Sequence, residues 1–411
     1  MHEQQQARSR SPSWATAGQT WVDNIGASAT LIGVYFVAQE LHGFSTGQNF
    51  VLGLLQGITY ITGALSAGPV TRRLAGPGRA ISTRAFLAWL HVALFACTQL
   101  PLWWSSPTAI WIMVGLFSTL SGVLWPLVES FHSAGRTGAD LRRGSSIFNL
   151  SWASCQVVTF WALAPFMALN PSLAIPALGL SNLVAMLFLP WFSREPAPHA
   201  HDPSHTPSSD HRQGLRRLLE GHRFLLILSY VVYSALTPML PILIERLSVR
   251  DGWATVLTSV WMFTRVLAFW IMGLWSGWQG RAVTLVWPGV LLTAGFLVCA
   301  LAPSAAVLAV GLAVFGTGMG AIYSTAFYYA MEVGASGVDA GGKHEALIGL
   351  GYLGGPALGV GAGLIVGSTS RPGTDALAVA LGVTVLAAAT AALIALRVRT
   401  VRPGTPARST H

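Results

Sequence analysis

Residues 254–275 read ATVLTSVWMFTRVLAFWIMGLW, a run in which Arg265 is the single charged side chain. A helix rises ~1.5 Å per residue, so a run of this length crosses a hydrocarbon core of ~30 Å. A charge inside such a run is costly and marks an aqueous cavity or a partner. Two expectations follow together: the chain spans a membrane, and Arg265 belongs to its functional site.

Eleven further windows of similar length surround this one. Six precede residue 193: Trp21 to Leu41, Asn49 to Val70, Ile81 to Leu102, Ala109 to Phe131, Ser146 to Phe166 and Leu173 to Phe192. The others are Phe224 to Ile244, Ala282 to Leu301, Ala305 to Tyr329, Ala346 to Val366 and Ala376 to Leu396. Composition agrees: of 411 residues 53% are hydrophobic and 9% charged, against roughly a quarter charged in soluble domains. So few charges cannot clothe a water-exposed surface of this size. The fold class is an all-α integral membrane protein with twelve transmembrane helices. Met1 to Thr20 has no apolar core and does not read as a cleaved signal peptide.

Basic residues set the orientation, because short cytoplasmic loops retain Lys and Arg. Of the 24 Lys and Arg, twenty fall at the termini or in even-numbered loops, while Arg246, Arg250 and Arg371 lie opposite and Arg265 lies within a span. Both termini are thereby placed in the cytoplasm, with the chain in the cytoplasmic (inner) membrane. The net charge of +9 is then a topology signal, and no nucleic-acid partner is needed to explain it. Cys97, Cys155 and Cys299 sit in apolar runs and form no disulfide framework.

Domain organisation follows from the one long polar insertion. Residues 1–20 are a cytoplasmic tail, 21–192 a six-helix bundle, 193–222 a linker, 223–396 a second six-helix bundle and 397–411 a basic tail. His199, His201, His205 and His211 in the linker lack the rigid spacing of a metal site and read as solvated, so no metal and no cofactor is expected. A shift of about 202 residues relates Gly78-Arg79 to Gly280-Arg281, Pro101 to Pro303 and Glu129 to Glu332. Their common order points to an internal duplication of two pseudo-symmetric bundles.

With these features the sequence resembles the major facilitator superfamily (MFS), in particular a bacterial twelve-helix member with degenerate loop motifs. The superfamily loop motif G-x-x-x-D-R-x-G-R is met by Gly68-Pro69-Val70-Thr71-Arg72-Arg73 and a late Gly78-Arg79, with Arg72 where the acid is expected. Its second copy runs from Gly273 to Gly280-Arg281, with Gly277 and Trp278 replacing the Asp and Arg. Gly342, Gly351, Gly355-Pro356 and Gly359 look like the glycine-proline motif of superfamily exporters, displaced to the eleventh span. Independently of the family, Gly351, Gly355, Gly359, Gly363 and Gly367 form a side-chain-free stripe with Pro356 in its middle, either a packing seam or a moving gate.

Helical spacing puts Trp261 and Phe269 one turn to either side of Arg265. A cationic fork among aromatic rings suits a sugar-like, aromatic or anionic solute. Gln56, Tyr60 and Gly63 share a face of the second span, and Asn149, Trp152 and Gln156 a face of the fifth. Tyr230, Tyr233, Ser234, Thr237 and Tyr328 are further candidates. Glu129 and Glu332, near matched helix ends, are candidate gate residues with Arg79, Arg143, Arg281 and Lys343. Asp23 joins that gate or carries a proton, and His91 is read as an interior hydrogen-bonding residue. Proton coupling and facilitated diffusion are both open.

The chain carries no Gly-x-x-x-x-Gly-Lys loop, no His-Glu-x-x-His pair and no nucleophile with an evident base, which argues against an enzyme and against ATP-driven transport. The expected activity is secondary transport of a small polar or amphipathic organic solute by alternating access, by a monomer whose partners are the solute, the lipid bilayer and, if coupled, protons. The alternatives are a uniporter without ion coupling and a non-transporting receptor or assembly factor on a transporter fold.

Overall fold

Backbone N–H and C=O groups in lipid have no water to bond, so an apolar run satisfies them within itself by forming a helix. The computed structural model describes residues 10–133, 135–136, 138–197, 209–250, 253–333, 338–366 and 374–399. In these it holds twelve helices long and apolar enough to cross a membrane. They are α1 (Ser13–His42), α2 (Thr46–Leu74), α3 (Thr83–Trp103), α4 (Pro107–Ser133), α5 (Gly138–Leu169) and α6 (Pro171–Trp191). The second half has α7 (Ser209–Leu236, continued to Arg246), α8 (Trp253–Leu274), α9 (Ala282–Ala300), α10 (Ala305–Val333), α11 (Val338–Val366) and α12 (Thr374–Arg399). Twelve crossings bring the two ends of the chain to one side, called here the termini side.

Four helices, α1, α5, α7 and α11, begin eight or more residues before their apolar windows. The first turns of α1 bury Thr16, Gln19 and Thr20, polar residues that a hydropathy window reads as tail. α7 starts at Ser209 inside the expected linker. Residues 198–208, with His199, His201 and His205, lie outside the described residues, as do Gly367 and the chain from residue 400 onward.

One pair of the matched positions shares a backbone conformation. Gly78 and Gly280, each followed by an arginine in the loop after the second helix of its half, have φ of 75° and 71°. That left-handed conformation is one that glycine adopts without steric cost. Arg79 and Arg281 are both exposed in these loops.

The halves meet along two seams. In one, α2 runs antiparallel to α11, with Phe50 against Gly359, Gly53 against Pro356, Gly57 against Leu353 and Gly68 against Asp339. A Cβ on Gly57 would stand 2.6 Å from the Leu353 backbone nitrogen, so the small residue is what lets the two backbones touch. In the other seam α5 follows α8: Ser146 lies against Gly273, Trp152 against Phe269, Gln156 against Arg265, and Trp161 Nε1 donates to Ser259 Oγ at 2.9 Å. The stripe on α11 serves both directions. Gly351 and Gly355 abut Tyr230 and Val231 of α7, whereas Pro356 and Gly359 face α2.

Candidate functional site

Between the seams lies a cavity of about 70 Å³ walled by both halves, with Asn24, Ser28, Tyr60, Trp125, Glu129, Phe148, Trp152 and Gln156 on one side and Tyr230, Tyr233, Arg265, Tyr323, Glu345 and Tyr352 on the other. Larger recesses of about 610 Å³ and 490 Å³ approach it from the termini side and the far side. Each approach is crossed by a contact between the halves. On the termini side Arg72 Nη1 lies 2.7 Å from Asp339 Oδ2, and on the far side Gln39 Nε2 donates to Glu245 Oε2 at 2.7 Å. This form is tied at both ends.

Arg265 is buried, 2% exposed, and its position is built from three directions. Trp152 of α5 and Trp261 of its own helix sandwich the guanidinium, with Cζ 4.5 Å and 4.6 Å from the ring centroids. Gln156 Oε1 accepts from Nη2, and Met319 Sδ lies 3.9 Å from Nη1. Nε has no hydrogen-bond partner. Among the described residues no carboxylate forms an ion pair with it. A planar cation between two indoles is held by quadrupole attraction and by packing, which fixes its orientation without neutralising it.

The tyrosines form the rest of the wall. Tyr352 touches Tyr60, Tyr230 and Tyr233 at centroid separations of 5.3, 5.3 and 5.9 Å, and Tyr323 contacts Trp152 at 5.0 Å. In α1, the cavity face includes a π-helical turn, Ala29–Gly33, a wide turn that occurs often at functional sites. Ser28 Oγ and Thr30 Oγ1 beside it are buried without partners.

Toward the termini side the cavity ends on carboxyl groups. Glu129 of α4 and Glu345 of α11, 2% and 5% exposed, come from opposite halves. With His344 they place one ligand atom each within 4.8 Å of one another. Tyr60 Oη donates to Glu345 Oε2. The carboxyl group of Glu129 meets that of Glu345 and, among the described residues, no other hydrogen-bond partner, and Nε2 of His344 is buried without one. Gly341 lies opposite Glu129: a Cβ there would be 2.8 Å from Oε2, so the α11 backbone leaves the carboxyl group room but gives it no bond.

The sequence-predicted residues divide accordingly. Arg265, Tyr60, Trp152, Gln156 and Tyr233 line the cavity, as does Glu129. Trp261 and Phe269 stand behind it, on Arg265 and on Trp152. Asn149 accepts from Trp152 Nε1 at 3.3 Å, and Gln56 accepts from Tyr35 Oη at 3.1 Å beyond the cavity on the far side. Tyr328 packs on Trp278, 5.4 Å between centroids, away from the cavity. Glu129 faces Glu345 where a basic partner was expected, and the ion pair that joins the halves is Arg72 with Asp339. Asp23 lies inside the first half, Oδ1 3.1 Å from His91 Nδ1, with His91 Nε2 3.1 Å from Gln19 Nε2. Arg143 is exposed, and the side chain of Glu332 lies outside the described residues. Sequence reasoning passed over Trp125, Tyr323, Tyr352, Glu345 and Asp339. The last two precede the apolar core of their span, and only the pairing of α11 with α2 and α4 brings them to the interface.

No protein-family model and no curated protein sequence matches the chain. Solved structures do. A mutant form of the nucleoside transporter NupG superposes with a TM-score of 0.66 at 12% identity, covering 94% of this chain and 99% of that one. The human organic anion transporter MFSD10 (TETRAN) gives 0.62 at 13% identity over 95% and 99%. A second NupG structure gives 0.61 at 14% over 93% and 98%. The chain therefore has the twelve-helix major facilitator fold of these transporters.

Proposed function

We propose that the chain is a secondary transporter that carries a small polar or amphipathic organic solute across the cytoplasmic (inner) membrane, with both termini in the cytoplasm. The observation that carries this reading is Arg265, a buried cation aimed into an aromatic cavity whose walls come from both halves. A site shared by two bundles opens to one side or the other as the bundles rock, which is alternating access. Arg72 with Asp339 and Gln39 with Glu245 are the ties that each half-cycle breaks. The similar structures include a nucleoside transporter and an organic anion transporter, so solutes with ring systems or anionic groups fit that reading. One chain walls a whole cavity, and a monomer suffices.

Protons are the proposed coupling ion. The acid pair Glu129 and Glu345, buried where the halves meet, supports that reading. Solute flux into proteoliposomes, measured with and without a pH gradient, tests the proposal. Accumulation driven by the gradient is expected. Gradient-independent flux leaves a uniporter, and binding without flux leaves a receptor.

A further inference from the structure

The cavity carries charge of both signs at opposite ends, and each end holds buried polar atoms without partners. At one end, among the described residues, Arg265 Nε has no hydrogen-bond partner and no carboxylate pairs with the guanidinium. At the other, Glu129 and Glu345 have chiefly each other, Tyr60 donates to Glu345, and Nε2 of His344 has no partner among the described residues. Buried polar groups in native proteins have partners, so an unpaired donor facing an acid pair across a cavity indicates what the occupant brings. Two carboxyl groups this close repel unless a cation or a proton comes between them.

We propose that the solute carries a primary ammonium group at one end and an anionic group at the other, joined by a flat apolar body. This rests on the transporter reading above and names its substrate class. An ammonium offers three N–H donors to Glu129 and Glu345, and a carboxylate accepts from Arg265 Nε. The spacing follows from the rings between the two ends. Arg265 Cζ is 4.5 Å from the Trp152 ring, Trp152 is 5.0 Å from Tyr323, and Tyr323 is 5.8 Å from His344. Trp152 and Tyr323 line the wall along this path. The body of the solute lies against those same rings, as stacking requires. A simple anion leaves the acid pair to a proton alone, a simple cation leaves Arg265 uncompensated, and a neutral sugar does both. Both ties are closed in this form, so such a solute enters when one of them opens.

The test uses purified full-length protein and four compounds of one shape: para-(aminomethyl)benzoate, para-toluate, para-methylbenzylamine and para-methylbenzamide. Direct binding measurements are expected to give para-(aminomethyl)benzoate a Kd about tenfold below each of the others. Glu129→Gln removes its advantage over para-toluate, and Arg265→Gln removes its advantage over the amine. Should Glu129→Gln fail to fold, Tyr60→Phe, which removes the donor to Glu345 and keeps the ring, replaces it and weakens the same preference. Equal binding of the four compounds, tightest binding by para-toluate, or no binding by any overturns the proposal. So does stabilisation by zinc alone, which assigns Glu129, His344 and Glu345 to a metal. Charge preference without flux overturns the transporter reading alone, and flux without charge preference overturns this inference alone.

Discussion

Arg72 Nη1 and Asp339 Oδ2 meet at 2.7 Å across the two halves on the termini side. Arginine stands where the loop motif has its acid, and the acid is supplied from α11. Gly68 makes room, since a Cβ there would lie 1.9 Å from Asp339 Oδ1. Both side chains are 62% exposed, so the pair contributes only about 0.2–1 kcal/mol. That leaves the melting temperature nearly unchanged and shifts the balance between closed and open forms by up to about fivefold. Asp339→Asn is expected to speed alkylation of a cysteine placed at Thr71, in the adjoining recess, by a few-fold. Arg72→Asp combined with Asp339→Arg is expected to restore the parent rate, and failure to restore it removes the pair from gating.

Arg265→Lys keeps the charge and loses the planar group between Trp152 and Trp261. Each cation–π contact contributes about 0.5–2 kcal/mol when desolvated, and an ammonium does not stack between two rings as a guanidinium does. The variant is expected to bind solute roughly tenfold more weakly at little cost in expression. Trp161→Phe, which removes the bond to Ser259 at 2.9 Å and trims a half-exposed ring away from the cavity, is the control and leaves affinity unchanged. Isothermal titration of both variants checks the contrast.

The spans were legible because apolar length and basic loops are one-dimensional signals, and Trp261 was legible because one helical turn separates it from Arg265. The acid end of the cavity was not. Glu345 and Asp339 precede the apolar window that starts at Ala346, and nothing local distinguishes them from solvated loop acids. Their placement follows from α11 lying on α2 and α4. On α10, Tyr323 and Tyr328 are both tyrosines on a helix apolar all round, where periodicity gives no face; the contact with α5 selects Tyr323. Asp23 stands two residues into a window that opens at Trp21, a position that reads as a gate or a proton carrier; the added turns from Ser13 and its contact with His91 place it inside the first half.

Two glycines of α2 separate folding from closure. A Cβ on Gly63 would stand 2.1 Å from the Thr119 carbonyl oxygen of α4, in the same half. Gly63→Ala is therefore expected to destabilise that half by about 1–3 kcal/mol through overpacking. Gly57 abuts Leu353 of the other half, so Gly57→Ala pushes the halves apart and leaves each one whole. Thermal melting is expected to fall for Gly63→Ala and to stay near the parent value for Gly57→Ala, which instead raises cysteine labelling at Thr71. Equal melting losses in the two variants contradict this division.

Tyr60 and Glu345 provide a test of the acid end that needs no solute. Tyr60→Phe retains the ring contact with Tyr352 at 5.3 Å and removes the only hydroxyl shown donating to Glu345. A hydrogen bond to a charged group contributes about 1.5–3 kcal/mol, and its loss leaves a buried carboxyl group facing Glu129. The single variant is thus expected to melt several degrees lower. With Glu345→Gln already in place the facing charge is gone and the hydroxyl has a weaker acceptor, so the same substitution costs less. Residues that share a bond give a non-additive cycle, typically by 0.5 kcal/mol or more, whereas independent sites add. Melting the parent, both single variants and the double variant measures that difference, and strict additivity means that Tyr60 and Glu345 do not share the bond.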